Sequence, residues 1–298
     1  MNISREFRMS TPSVGRQSRL QVESLEDRVV LSTGVVAPVP GGNVSAYVTQ
    51  GILQIRGDNF NNNVNITELT TGQFKVSGLA GTLINSQSSV VLSSAYDINS
   101  QLKGGNDTLT LILQNNLNMR NITLDMGTGT RENVIMQGGK VITGNVVITA
   151  TGANSLNFDT QGKSLNVLGK MNIIGGKSTT QGDQIKLLGT FNQVYIETGD
   201  GNDFVQLGMK CNCPTNVRFQ ASKVTALLGN GNDQLDVFKV KADDFFADLG
   251  AGNDTLALSI VQFSTIPTKA RLFGGTGTDT VKEKVSITGS PSYNGFEK

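Results

Sequence analysis

The 298-residue chain is 37% apolar and 16% charged, enough hydrophobic content for a continuous core, which excludes a disordered polymer. Glycine supplies 35 residues and proline only 6, which excludes collagen and proline-rich linkers and points to many tight turns. The formal net charge is +1, and the absence of histidine and tryptophan removes the commonest general base, the commonest transition-metal ligand and the usual sugar-stacking platform.

Residues 1–37 form a segment of their own. Half of the ten arginines lie in its first 28 residues, whereas every lysine lies beyond them. The run Val29–Ala37 is too short and too weakly apolar to span a bilayer. Glu23, Glu26 and Asp27 stand where an ordinary signal peptide passes from its positive to its apolar region, so the segment is irregular as a secretory signal. The stretch Leu25-Glu26-Asp27-Arg28-Val29-Val30-Leu31-Ser32, with Arg19, Leu20 and Glu23 before it, resembles the LEPR-XLL segment that opens many exported planctomycete proteins, with Asp27 in place of that motif's proline. The resemblance implies a sorting segment, disordered or helical, on an extracellular or cell-surface protein. The local alternative is a frayed amphipathic start over Val22–Leu31.

Residues 38–100 carry short alternating strands around an Asn/Gly turn between Gly51 and Gly78, read as an opening coil, a hairpin or, preferably, a cap. Residues 101–298 carry a repeat. Its corners read GGND (104–107), GDGND (199–203), GNGND (229–233), GAGND (250–254) and GGTGTDTVK (274–282), and in each an aliphatic residue follows two places after the aspartate. The last four loop aspartates are 30, 21 and 25 residues apart, a solenoid period, and degenerate turns at Gly127–Gly129, Gly152–Asn154 and Gly182–Asp183 divide the earlier gap into similar steps. Strands with alternating apolar residues flank the corners: Leu109/Leu111/Leu113 and Leu235/Val237 after them, Ile122/Leu124/Met126 and Phe245/Ala247/Leu249 before them. Long helices are not expected beyond residue 40. The predicted class is all-β, a right-handed parallel β-helix of about 8–10 coils of about 20–30 residues.

GGTGTDTVK matches in full the nonapeptide of RTX (haemolysin-type) calcium-binding repeats, and the other corners resemble it more loosely. The resemblance is to the loop, since that family places a loop every nine residues and this chain one per coil. It implies calcium, held by loop carbonyls and by Asp107, Asp200, Asp203, Asp233, Asp236, Asp254 and Asp279. Stacked carboxylates about 5 Å apart repel by roughly 1 kcal/mol in water and ~3 near a protein surface, so a counter-ion is expected, with the ~0.1 to 1 mM affinity of extracellular modules. The competing reading needs no ion: glycine permits positive φ, asparagine tolerates the left-handed region, and aspartate caps neighbouring amides. From Glu197 to Asp254 nine acidic residues face five basic ones, a balance that suits a cation better than nucleic acid.

The function expected is a non-enzymatic structural or adhesive protein that meets matrix, polysaccharide or other surface proteins, with no nucleic acid and no membrane span. Two alternatives stand beside it: a polysaccharide-degrading β-helix enzyme drawing its base from Arg218 or nearby lysines, and an ion-free module of a surface assembly. Asp243 and Asp244 are adjacent, so on a strand they face opposite ways and make no catalytic pair. Cys211 and Cys213 fit structural thiols, a strained disulfide or a soft-metal pair.

Overall fold

An apolar residue at every second position gives a strand one buried face, and this chain repeats that pattern on both sides of each glycine corner. The computed structural model describes residues 41–297 apart from 115–118, 139–140, 154, 211–218 and 264–268. The LEPR-XLL-like tail, Cys211, Cys213 and Arg218 lie outside the described residues. Within the unit Val39–Lys298 the described residues form an all-β arrangement of 23 strands in one mixed sheet.

The antiparallel part comes first. β1 (Asn43–Thr49) and β2 (Ile52–Arg56) form a hairpin, as do β3 (Asn63–Thr70) and β4 (Gln73–Gly78). The short β5 (Leu83–Ile84) runs parallel to β1, and β6 (Ser89–Leu92) returns antiparallel to β4. Thereafter every named strand pairs in parallel: β7 (Asp97–Gln101), β8 (Thr108–Leu113), β9 (Ile122–Asp125), β10 (Glu132–Gly138), β11 (Val141–Ile142), β12 (Val146–Thr149), β13 (Leu156–Asp159) and β14 (Leu165–Ile174). So do β15 (Gln184–Leu187), β16 (Gly189–Glu197), β17 (Phe204–Gly208), β18 (Phe219–Leu227), β19 (Gln234–Asp248), β20 (Thr255–Phe263), β21 (Ala270–Phe273), β22 (Thr280–Thr288) and β23 (Ser292–Asn294).

Three parallel ladders result. The first follows the glycine corners and runs in register through Val64, Leu109, Val134, Phe158, Ile185, Val205, Leu235, Leu256 and Val281. From Leu109 onward its neighbours are 20 to 30 residues apart, and the longer first step accommodates β4–β6. The second ladder precedes the corners and runs through Leu53, Ile98, Ile122, Val146, Met171, Val194, Val224, Phe245 and Ala270. A third joins Ile142, Val167, Phe191, Ala221, Ala242 and Phe263.

Parallel register puts like on like, so each ladder presents a column of aliphatic side chains to one core. Every residue just named is buried except Val281, which packs partly exposed against the last level. Phe191 lies against Phe219 with ring centroids 5.3 Å apart, and Phe245 against Phe263 at 5.1 Å. Each buried aliphatic or phenylalanine side chain contributes roughly 1.5–3 kcal/mol against the entropy of ordering its strand.

Phe158 is fully buried between Val134 and Ile185, so Phe158→Ala is expected to cost about 3–5 kcal/mol, whereas Thr123→Ala on the exposed face of β9 should change stability by less than about 0.5. Urea unfolding of the two variants checks this, and equal midpoints would mean that Phe158 is not packed as described.

Candidate functional site

Each corner aspartate stands two places before the first inward aliphatic residue of its strand, so period-two geometry turns its carboxylate to the same inner side. Asp107, Asp203, Asp233, Asp254 and Asp279 are all buried, at 0 to 2% exposure. They form a file beneath the corners, because their parity is that of Leu109, Val205, Leu235, Leu256 and Val281.

The file is held by one repeated hydrogen bond. The amide of Asp203 donates to Asp233 Oδ1 at 2.7 Å, that of Asp233 to Asp254 Oδ1 at 2.8 Å and that of Asp254 to Asp279 Oδ1 at 2.9 Å. The Asp279 amide donates to Glu297 Oε2. Earlier in the file the amide of Asp183 donates to Asp203 Oδ1 at 2.6 Å, that of Asp107 to Glu132 Oε2 at 2.8 Å and that of Asn62 to Asp107 Oδ1 at 2.7 Å. Each carboxylate therefore reaches back one level. Between Glu132 and Asp183 the aligned residue is Leu156, whose amide donates to Asp183 Oδ1 at 2.6 Å but whose side chain accepts nothing.

The corner asparagines, one residue earlier and of opposite parity, face outward and reach forward. Asn202 Oδ1 accepts from the Asn232 amide at 2.8 Å, Asn232 Oδ1 from Asn253 at 2.7 Å, and Asn253 Oδ1 from Thr278 at 2.9 Å. Asn61 and Asn106 do the same toward Asn106 and Thr130, both at 2.8 Å. Glycine is required because the corners touch: at Gly252 φ is +143° and a Cβ would meet the Gly231 carbonyl oxygen at 1.7 Å.

Except at Asp183, whose Oδ2 accepts from the Gly176 amide at 3.0 Å, the other oxygen of the buried carboxylates has no hydrogen-bond partner. Asp107, Asp203, Asp233, Asp254 and Asp279 each bury an unpaired Oδ2, and Glu132 an unpaired Oε1. Burial raises the pKa of Asp107, Asp183 and Asp233 to about 7, that of Asp203 and Asp254 to about 6 and that of Glu132 to about 8, opposed by the amide bonds to the charged form. Neighbouring carboxylates push in the same direction as burial, Asp203 and Asp254 on Asp233 for example. The Thr198 hydroxyl beside Asp203 favours the charged form, although its own proton is directed to the Leu228 carbonyl at 2.8 Å.

Of the seven sequence-predicted ligands, five share the file. Asp200 lies half-buried in an outer row and accepts from Asn230 Nδ2 at 2.6 Å. Asp236 sits on the outward face of β19, covered to 9% exposure, and accepts from Gln234 Nε2 at 2.9 Å. Asp183, Glu132 and Glu297 belong to the file but were not predicted as ligands. A carboxylate two places before an inward aliphatic residue would have found the first two without any GND motif.

All donors are oxygens, as a hard cation requires, but calcium takes six to eight of them. The corner carbonyls of Gly199, Gly229 and Gly250 already accept from Asn230, Ala251 and Thr276, at 2.9, 2.8 and 2.8 Å. Among the described residues no three His, Cys, Asp or Glu side chains converge as a metal cage. The unpaired oxygens thus fit a cation in chemistry, and filling its shell would require the corners to open. Comparison with protein-family models, curated proteins and solved structures finds no significant match to the chain.

A carboxylate whose folded pKa is raised leaves the folded state holding protons that the unfolded state has released, so its contribution is full below about pH 4 and lost as pH rises through its folded pKa. In EDTA, stability is therefore expected to fall between about pH 4 and pH 8, the reverse of ordinary acid denaturation. Asp233→Asn keeps the acceptor for the Asp203 amide and removes one titrating group, so its curve should be flatter and cross that of the natural chain. Asp233→Ala removes the same titrating group but also strands that amide, so its curve should run parallel to that of Asp233→Asn and about 1–3 kcal/mol below it. Parallel curves for the natural chain and Asp233→Asn would refute this titration.

Proposed function

We propose that the chain is an exported, non-enzymatic structural or adhesive protein, built as a right-handed parallel β-helix whose glycine-aspartate corners take up calcium weakly. The observation that carries this reading is the file of buried carboxylates with an unpaired oxygen at each of Asp203, Asp233, Asp254 and Asp279, level after level. A self-satisfied ladder would leave no such oxygens, and an ion drawn to them stabilises whatever conformation holds it. The β-helix assignment rests on three parallel ladders whose successive strands belong to successive corners. Export rests on the resemblance of the first 37 residues. Weak affinity follows from the corner carbonyls already engaged in backbone bonds, which calcium would have to share. No described helix is long and apolar enough to cross a membrane.

A second reading, a polysaccharide-degrading enzyme, is favoured by one place in the structure. Asp159 and Lys186 are register partners on β13 and β15 and line one cavity of about 350 Å³. The cavity holding Lys170 and Lys223 has no carboxylate among its described lining residues. If the enzyme reading holds, the chain releases sugar ends from soluble polysaccharides and Lys186→Ala stops the release.

Thermal unfolding in EDTA, then in millimolar calcium, with magnesium as control, decides the calcium part. A rise in midpoint specific to calcium, lost in Asp233→Asn, is the expected result. An unchanged midpoint reduces the file to a purely internal ladder.

A further inference from the structure

Outside the corners that carry Asp107 and Glu132 lie two cavities of about 410 and about 400 Å³, each large enough for a small ligand. Asn106 lines both, so the two adjoin along the corners ahead of β3, β8, β10, β13 and β15 and together make a broken trough. The trough is lined by amides and hydroxyls, and Arg131 is the only charged side chain among its described lining residues. Phe60, 54% exposed, stands at one end as a free aromatic surface.

The corner geometry orients the amides. Because Asn61 Oδ1 and Asn106 Oδ1 are each pinned by the backbone amide of the next level, at 2.8 Å, their Nδ2 groups are left as donors on the trough side. Gln181 and Gln184 lie exposed farther along, with side chains that make no hydrogen bond among the described residues. Polar groups therefore recur at the strand spacing of about 4.8 Å.

We propose that this trough binds a linear, uncharged polysaccharide. Amide and hydroxyl groups supply donors and acceptors to sugar hydroxyls, and Phe60 offers an apolar face to the C–H side of a pyranose ring. A polyanion such as nucleic acid would need many cations, and the trough holds one. The proposal does not depend on calcium, because no residue of the trough uses an unpaired oxygen of the file.

The test is electrophoresis of the full chain through native gels containing soluble β-glucan, galactomannan or xyloglucan, with polygalacturonate as acidic control, in EDTA and again in calcium. Retardation by at least one neutral polymer is expected under both conditions. Phe60→Ala and Gln184→Ala are expected to weaken it about tenfold each without moving the thermal midpoint, since neither side chain supports the fold. The proposal is overturned if no neutral polymer retards the chain, if both variants are retarded like the natural protein, or if only polygalacturonate acts and Arg131→Ala abolishes its effect. Failure of calcium to raise the midpoint leaves this result untouched, so the two readings fall separately.

Discussion

A buried backbone amide must find an acceptor, and at every step of the file except that from Glu132 to Leu156 the acceptor is a carboxylate from the next level. The requirement sets the rest of the corner. The acceptor has to be inward, which selects a carboxylate at the parity of the core residues, aspartate at most levels and glutamate at Glu132 and Glu297. Corners this close leave no room for a Cβ at Gly252. The residue just before the aspartate then points outward, where asparagine makes the reciprocal bond toward the following level. Aspartate, glycine and asparagine occupy the corner for three separate physical reasons.

The same bond creates the tension at the centre of the molecule. One carboxylate oxygen is satisfied and the other is shut away from water, so the charged form is disfavoured by desolvation and by the neighbouring carboxylates. A proton relieves the charge without disturbing the corner. Calcium would relieve it too, at the expense of corner backbone bonds. The carboxylate file is therefore an internal electrostatic load whose relief depends on the pH and ions of the medium.

Much of this was legible in residue spacing. The aliphatic pairs around the corners, Leu235/Val237 and Phe245/Ala247/Leu249 among them, are buried where period-two alternation puts them. The inward turn of the aspartates was equally present in the chain, since Asp233 and Leu235 share parity. Glu132 and Asp183 were hidden because their corners lack the GND signature, and only parallel pairing aligns them with Asp107 and Asp203. Asp200 and Asp236 were gathered by proximity to the motif, and parity alone separates them from the file. The antiparallel start, β1 through β6, was legible as short strands but not in its pairing, which depends on contacts between distant residues.

The two rows of side-chain bonds run in opposite senses, carboxylates toward the N-terminal neighbour and asparagines toward the C-terminal one. The parallel ladder that carries both rows therefore has a polarity like that of a filament with distinct ends. The most recently docked level offers an asparagine carbonyl as a landing point, and the arriving level completes the amide left waiting beneath it. Leu156 interrupts the carboxylate row once: there the Glu132 amide turns to the Ser155 carbonyl at 2.9 Å, and the side-chain bonds that cross the step lie outside the file, from Ser155 Oγ to the Thr130 carbonyl and from Asn157 Nδ2 to Asn133 Oδ1.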